Sequence, residues 1–372
     1  MRRRKVVFFA YALHKLPFFC VKWVSVTAYS VRDRQSRENQ TMERRVKLLG
    51  TGKYLPARVV TAAELDEQLG LATGWTEKKS GVRIRHYVTT ETAAQMGAIA
   101  AKRAAEAAGV SLQELDCIVC ASGTAQQEIP CTAALIQEEL GLSRTGIPCF
   151  DINSTCLSFV TALDVMSCAM AAGVYKRVLI VSTEIASMGL NWKQKESCVL
   201  FGDGAAAVVV GQTPEGESSR IVSSAMQTYS EGAHYSEIRG GGTMVHPRHY
   251  ANGHEDDFAF DMDGRKIFRL TSQLITGFVD SLLAKASVSK KQLQAVIPHQ
   301  ASGMALRIMR TKLGFMEQQM VDIMADHGNV IAASIPMALH EAISQKRVER
   351  GDCLLLLGTS AGLSLGGIVL EY

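Results

Sequence analysis

The chain has 372 residues, of which 47% are hydrophobic and 20% are charged. This composition is typical of a globular protein with a sizeable core and excludes a disordered or fibrous chain. The formal charge of +4 is uneven, because residues 1–41 hold nine of the 40 basic and two of the 36 acidic residues, which leaves residues 42–372 at −3 and excludes a mainly nucleic-acid-binding surface.

Residues 1–41 form a basic and apolar N-terminal extension that superficially resembles a signal peptide or membrane anchor. No long uncharged stretch remains to span a bilayer, because the apolar run is interrupted by His14, Lys15, Pro17 and Lys22. We expect a disordered extension or an upstream start codon that is not used, with a membrane-surface amphipathic segment as the alternative. We expect no stable membrane insertion, and deletion of the extension should leave activity unchanged.

The body begins at Met42, and residues 46–52 are predicted to form its first strand and turn. The whole chain contains nine cysteines, mostly within apolar runs. An odd count in a long chain indicates reduced thiols and a cytoplasmic location rather than a disulfide framework. The spacing from Cys117 to Cys120 matches a redox motif, but it lies within an apolar strand pattern, so we interpret it as a buried strand.

An internal repeat divides the body into two similar halves. Residues 110–121 and 288–299 share a helix end, a serine-started connection and a buried strand, with matching positions 178 residues apart. Apolar strands that alternate with long helices predict parallel sheets covered on both faces. The sequence therefore predicts a layered α/β fold with halves 42–216 and 217–372, in which the helices that follow Cys156 and Asn329 form a central pair.

Three distant segments supply a thiol, an imidazole and a carboxamide, each at a predicted strand end or helix start: residues 151–159, 298–302 and 327–334. Cys156 precedes an apolar helix pattern, and the positive end of that helix should favour the thiolate and lower the pKa of the thiol. His299 and Asn329 can stabilise charge on a carbonyl oxygen. Taken singly, the three residues could equally be an inert thiol, a buried structural histidine and a helix cap.

Two glycine-rich segments follow along the chain. Residues 201–210 fit neither dinucleotide nor P-loop spacing and are predicted to pack tightly against the central helices. Residues 358–367 are small enough for backbone amides to approach a substrate carbonyl.

Together these residues resemble the thiolase-fold condensing enzymes, specifically the β-ketoacyl-acyl carrier protein synthase III family, over residues 46–372. The motifs that carry the resemblance are residues 50–56, Trp75 with residues 80–83, residues 201–205, 299–301 and 327–329. It implies a duplicated αβαβα thiolase-like fold, a homodimer, and decarboxylative Claisen condensation of an acyl-CoA primer with malonyl-acyl carrier protein in fatty acid biosynthesis. It implies no permanently bound cofactor and no metal.

The resemblance also implies residue roles. Cys156 would carry the acyl group, the amides of Cys156 and Ala361 would form an oxyanion hole, and His299 and Asn329 would hydrogen-bond the malonyl thioester oxygen. CoA would contact Trp75, Lys79, Lys195 and Arg265. The acidic carrier protein would dock on Arg269, Arg310 and Lys312, for which solvated surface charge is the alternative.

Departures from the family pattern leave the acyl chain and the acceptor open. Leu157 replaces a small residue after the nucleophile and is expected to narrow the entry to the acyl pocket. Ile129 replaces a Phe from the partner subunit and would admit a longer or branched primer. The alternative functions are condensation of two acyl chains, acyl transfer to a hydroxyl or amine, and a non-catalytic subunit. Glu128 is a candidate extra base if a partner subunit delivers it.

Overall fold

The computed structural model describes residues 43–372, so the predicted N-terminal extension, residues 1–41, lies outside the described part of the chain. The strands are β1 Val46–Tyr54, β2 Arg58–Thr61, β3 Ile84–Tyr87, β4 Cys117–Cys120, β5 Cys149–Asp151, β6 Arg177–Glu184, β7 Gly204–Gln212, β8 Arg220–Thr228, β9 Ser236–Glu237, β10 Asp261–Met262, β11 Leu293–Pro298, β12 Cys353–Ser360 and β13 Ser364–Glu371. The helices are α1 Ala62–Gln68, α2 Trp75–Ser80, α3 Ala93–Ala108, α4 Thr132–Glu139, α5 Ser158–Ala171, α6 Lys195–Cys198, α7 Gly264–Ala286, α8 Gly303–Leu313, α9 Met324–His327 and α10 Ser334–Ser344.

Two sheets with the same topology form the body. One has the strand order β1-β7-β6-β4-β5 and the other has the order β8-β13-β12-β11. Where the first sheet has β5, the second has a single parallel bridge between Val296 and Met320. The repeat predicted from the sequence is therefore present as a structural duplication, and the predicted boundary at residues 216 and 217 falls between β7 and β8.

The predicted parallel pairing is present in only part of each sheet. The pairs β4–β6 and β11–β12 are parallel, but β6–β7, β1–β7, β12–β13 and β13–β8 are antiparallel. The antiparallel direction of β12 and β13 follows from their connection. A turn of three residues joins them, and so short a connection permits only antiparallel pairing.

Helices cover both sheets and separate them. Both α5 and α10 contact strands of each sheet, so they form the predicted central layer. On the outer faces, α3 packs on β1, β6 and β7, and α7 packs on β8 and β13. Residues 42–372 form one compact unit with five layers, ordered helix, sheet, helix, sheet, helix.

Helix α3 illustrates how the sequence builds these layers. Thr92 and Gln95 form a capping box at its start, and Gly109 ends it in the left-handed conformation. Its alanine face lies so close to β1 that a Cβ on Gly50 would lie 2.5 Å from the carbonyl oxygen of Ala104. Glycine in β1 is therefore required for this helix to reach the sheet.

No helix within residues 43–372 is long and apolar enough to cross a membrane.

Candidate active site

Cys156 lies in a tight turn between β5 and α5. Helix α5 begins at Ser158, whose hydroxyl accepts a hydrogen bond from the amide of Ser154 at 2.9 Å and donates one to the carbonyl of Thr155 at 2.7 Å. Thr155 has a φ of 51°, which a β-branched residue rarely adopts. This constrained turn holds Cys156 at the N-terminal end of the helix, two residues before its first residue.

His299 directly follows β11. Its backbone amide donates to the carbonyl of Leu357 in β12 at 2.8 Å, and the residue is only 4% exposed. Burial lowers the pKa of His299 to about 4, so the imidazole is neutral near pH 7. Among the described residues its Nδ1 atom is buried without a hydrogen-bond partner.

Asn329 is fixed by its own backbone. Its amide donates to the carbonyl of Leu200 at 2.8 Å, and its carbonyl accepts from the amide of Gly202 at 3.1 Å. The side-chain Oδ1 accepts from the amide of Ile331 at 3.0 Å, which leaves Nδ2 as the donor. The residue is 6% exposed, so this carboxamide is held in one orientation in a nearly dry place.

Shared neighbours show that Cys156, His299 and Asn329 converge. A Cβ built on Gly358 of β12 would lie 3.0 Å from Cδ2 of Leu157 and 3.1 Å from Cβ of His299, which places the nucleophile turn beside the histidine. Ala301 joins the histidine to the asparagine, because its amide donates to the carbonyl of His299 at 3.0 Å and its carbonyl lies 3.5 Å from Nδ2 of Asn329.

Gly123 closes this arrangement on the remaining side. A Cβ there would lie 2.8 Å from Cγ2 of Ile331 and 3.4 Å from the backbone of Thr155. Ile331 follows Asn329 by two residues and Thr155 precedes Cys156, so the turns that carry these two site residues are separated by a single glycine. The structure thus brings the three predicted residues into one place.

The predicted lowering of the Cys156 pKa is wrong. Burial raises the pKa of the thiol to about 12, and the nearby carboxylate of Glu184 raises it further. Removal of the sulfur from water disfavours its charged form more than the helix end favours it. In the protein without substrate Cys156 is therefore a thiol.

Glu184 lies beside these residues and was not predicted from the sequence. It ends β6 with no exposed surface, and it accepts hydrogen bonds from the amides of Gly123, Thr124 and Ala332. Burial raises the pKa of Glu184 to about 7 against the opposing effect of these donors. The available signal was an acidic residue at the end of an otherwise apolar strand pattern.

The four predicted CoA contacts lie at one surface region. Trp75 begins α2 and is half-buried. Lys79 is paired with Glu196 at 2.6 Å, and Nζ of Lys195 donates to the carbonyl of Leu69 at 3.3 Å. Lys79 and, more weakly, Arg265 lower the pKa of Glu196, so two of these cations lie near one acidic residue.

The three predicted carrier-protein contacts differ in availability. Arg269 and Lys312 are exposed, whereas Arg310 is paired with Glu317. Lys312 lies on a surface groove of about 410 Å³ between α7 and α8, whose lining residues are Phe268, Ser272, Arg307, Ile308, Thr311 and Lys312.

Leu157 is fully buried, and its effect on the acyl pocket stays a prediction. Its side chain has no exposed surface and packs toward Gly358 and Gly366, because those two residues have no Cβ and leave room for it. Ile129 is 84% exposed and Glu128 is also exposed, so neither contributes to the site of its own subunit. Ala361 lies in the turn between β12 and β13, and its role stays a prediction.

Two further expectations concern packing and metals. Gly204 in the glycine-rich segment lies against the central helix α10, because a Cβ there would lie 2.6 Å from Cε of Met337. Within residues 43–372 no group of three or more His, Cys, Asp or Glu side chains is placed to hold a metal ion.

Comparison with known proteins is consistent across the body of the chain. Residues 150–230 match the family model described as 3-oxoacyl-[acyl-carrier-protein (ACP)] synthase III, and residues 283–372 match the model of its C-terminal part. The β-ketoacyl-[acyl-carrier-protein] synthase III of Aquifex aeolicus is 34% identical over 327 residues, which cover 88% of this chain and 99% of that protein. The corresponding protein of Acidiphilium cryptum is 35% identical over 333 residues, with the same shares covered.

Solved structures agree. The crystal structure of the Aquifex aeolicus 3-oxoacyl-[acyl-carrier-protein] synthase III matches with a TM-score of 0.80 at 32% identity, covering 88% of this chain and all of that one.

Proposed function

This chain belongs to the β-ketoacyl-[acyl-carrier-protein] synthase III family of thiolase-fold condensing enzymes, and from that premise we propose how its own residues carry the reaction. It is an acyltransferase with β-ketoacyl-acyl carrier protein synthase III function in fatty acid synthesis. From this family membership we infer that the substrates are an acyl-CoA primer and malonyl-acyl carrier protein.

In the first half-reaction the sulfur of Cys156 attacks the thioester carbonyl of acyl-CoA. The new bond joins that carbonyl carbon to Sγ, the bond from carbon to the CoA sulfur breaks, and the thiol proton ends on CoA. The backbone amides of Cys156 and Ala361 stabilise the oxyanion. A covalent acyl-enzyme divides a difficult transfer into two steps and predicts ping-pong kinetics.

In the second half-reaction His299 and Asn329 donate hydrogen bonds to the thioester oxygen of the malonyl group. Loss of CO₂ leaves an enolate, whose carbon attacks the acyl group on Cys156 and expels the thiolate. The neutral imidazole carries one ring proton, and we assign that proton to Nε2 as the donor. Each oriented donor in a dry site contributes about 3 kcal/mol to lowering the barrier.

The convergence of Cys156, His299 and Asn329 on one buried place is the observation that supports this assignment best. The test is condensation of acetyl-CoA through long-chain acyl-CoA primers with malonyl-acyl carrier protein. Cys156→Ala should abolish condensation while malonyl decarboxylation persists. The matched control is Cys168→Ala, a half-buried cysteine farther along α5, which should condense like the wild type. Wild-type condensation by Cys156→Ala would contradict the assignment.

Substrate delivery follows from surface charge. We assign the diphosphate and 3′-phosphate of CoA to Lys79, Lys195 and Arg265, with Trp75 against the adenine, and we assign the acidic carrier protein to the exposed cations Arg269 and Lys312. Arg310 joins them only if its pairing with Glu317 opens. These contacts are electrostatic, so the KM for both substrates should rise with salt.

The assembly we propose is a homodimer formed along β5. That three-residue strand is the edge of the five-stranded sheet, and an unpaired edge is a template for a second copy. Ile129 is exposed here and would reach the partner's site, where it would set the acyl length in place of Leu157. Light scattering should give twice the chain mass of 40.4 kDa, and an active monomer would contradict the dimer.

The eight described cysteines are all free, which fits a cytoplasmic location.

A further inference from the structure

Glu184 is a buried acid that the reaction described above does not use. It has no exposed surface, and both oxygens of its carboxylate are fully engaged. Oε1 accepts from the amide of Gly123 at 2.6 Å and from the amide of Ala332 at 3.3 Å, and Oε2 accepts from the amide and hydroxyl of Thr124 at 3.0 and 2.6 Å. Three backbone amides and one hydroxyl donate to the group and favour its ionised form, whereas burial raises its pKa to about 7, so the carboxylate is mostly ionised at pH 8.

These contacts join both sides of the site. Gly123 and Thr124 belong to the loop after β4, and Gly123 lies between Thr155 and Ile331. Ala332 belongs to the turn that carries Asn329. Both Thr155, with a φ of 51°, and Ile331, with a φ of 42°, are β-branched residues in the left-handed region. Such conformations cost about 1–3 kcal/mol each and persist only where surrounding contacts hold them.

The charge of Glu184 also reaches the nucleophile. Its carboxylate contributes to the raised pKa of Cys156, second only to burial. Glu184 also contributes to the raised pKa of Cys120 in β4, as do Asp151 and Cys131. The pKa of His299 is lowered by burial alone.

We propose that Glu184 is a positioning residue, which ties the Cys156 turn to the Asn329 turn through Gly123 and Ala332 and holds a carboxylate against the loop that packs on the Cys156 turn. A negative charge held at that place disfavours the thiolate of Cys156 in the enzyme without substrate. The proposal rests on the proposed function only where it names Cys156 as the nucleophile. The enzyme would thereby be protected from alkylation and oxidation between turnovers, because the thiolate is the reactive form of cysteine.

The test measures thiol reactivity without any acyl substrate, so its failure is distinguishable from failure of the proposed reaction. Iodoacetamide is added to the purified full chain at pH 8, and the rate of carbamidomethylation of the peptide that contains Cys156 is followed by mass spectrometry. In Glu184→Gln the charge is absent, and removal of a nearby like charge lowers the thiol pKa by about one unit. Tenfold more thiolate with reduced intrinsic nucleophilicity gives alkylation about threefold faster than in the wild type.

The matched control is Asp203→Asn. Asp203 is a second carboxylate without exposed surface, which accepts from the amides of Val88 and Ser187 at 2.9 and 2.8 Å and does not contribute to the pKa of Cys156. The variant Asp203→Asn should lose about as much stability as Glu184→Gln, while its alkylation rate at Cys156 stays at the wild-type value. An unchanged rate in Glu184→Gln, or an equal acceleration in Asp203→Asn, would overturn the charge role.

Glu184→Asp tests the positioning role, and it also keeps the proposal testable if Glu184→Gln does not fold. It keeps the charge but shortens the side chain by one methylene, so it cannot reach both turns. Its alkylation rate at pH 8 should match that of the wild type, while the steady-state condensation rate falls at least tenfold. A raised alkylation rate in Glu184→Asp would contradict the charge role, and an unchanged condensation rate would contradict positioning.

Discussion

Leu157 couples the nucleophile turn to His299 through a contact whose strength can be measured. A methyl group on Gly358 would lie 3.0 Å from Cδ2 of Leu157 and 3.1 Å from Cβ of His299, closer than ordinary van der Waals contact. Gly358→Ala therefore pushes these side chains apart, and overpacking of this kind costs about 1–3 kcal/mol of unfolding free energy. Because Cys156 and His299 are displaced relative to each other, the condensation rate should fall as well.

Leu157→Ala produces the opposite defect. The side chain has no exposed surface, and loss of three buried carbons costs about 2–5 kcal/mol. In the double variant Leu157→Ala/Gly358→Ala, the new methyl group occupies part of the vacated space. The combined cost should therefore be smaller than the sum of the single costs by about 1–2 kcal/mol, which is the size expected for residues in contact.

These proteins form a double-mutant cycle: the wild type, Leu157→Ala, Gly358→Ala and the double variant. Urea unfolding followed by tryptophan fluorescence measures the unfolding free energy of each. The matched control is Gly367→Ala, since a methyl group there would lie 2.8 Å from Cδ2 of Leu282 in α7, on the face of β13 opposite to the one that Leu157 contacts. Combination of Leu157→Ala with Gly367→Ala should be additive within about 0.5 kcal/mol. If the unfolding costs of Leu157→Ala and Gly358→Ala are also additive, the inference that β12 brings the Cys156 turn and His299 together is refuted.

The remaining predictions address the site, the CoA region and pH. Asn329→Ala should reduce malonyl decarboxylation by about 10²–10³-fold while acyl transfer to Cys156 persists, since only the enolate loses a donor; equal loss in both half-reactions would contradict the assignment. Glu196→Gln removes the acidic residue among the CoA-region cations and should lower the KM for acyl-CoA at low salt, with no change for an acyl-pantetheine that lacks the phosphates; an equal change for both substrates would exclude a phosphate effect. The unfolding free energy should fall as pH is lowered from about 6.5 toward 4, because burial lowers the pKa of His299 and His327 to about 4 while the unfolded chain binds protons near 6.5; a flat profile in this window, measured by urea unfolding, would contradict it.

The repeat was accessible from the sequence because each half carries its own local signals. A serine-started connection and a four- to six-residue apolar run predicted β4 and β11, and the structure has them at residues 117–120 and 293–298. The central helices were predictable for the same reason, since α5 and α10 follow the chemically distinctive Cys156 and Asn329. Side-chain type and position at strand ends were therefore enough to select Cys156, His299 and Asn329 as candidate site residues.

Strand direction was not accessible in the same way. An apolar run is equally compatible with parallel and antiparallel neighbours when both faces of the sheet are covered. The deciding feature between β12 and β13 is a three-residue turn at Ala361, which the sequence analysis interpreted only as a place for backbone amides to approach a substrate.

The electrostatics of the site depend on distances that no pattern encodes. Cys156 and Glu184 are 28 residues apart in sequence and belong to different elements. Their proximity, and the depth at which Cys156 is buried, reverse the direction predicted for the thiol pKa. Sequence position was enough to propose Cys156 as the nucleophile, but the protonation state of its thiol depends on the packed structure.

The most direct test mixes the purified chain with acyl-CoA in the absence of malonyl-acyl carrier protein and locates the acyl group by peptide mass spectrometry. We predict a stoichiometric mass increase equal to the acyl group on the peptide containing Cys156, with the other cysteines unmodified. Condensation that proceeds without this adduct, or an acyl group found on a different residue, would contradict the account.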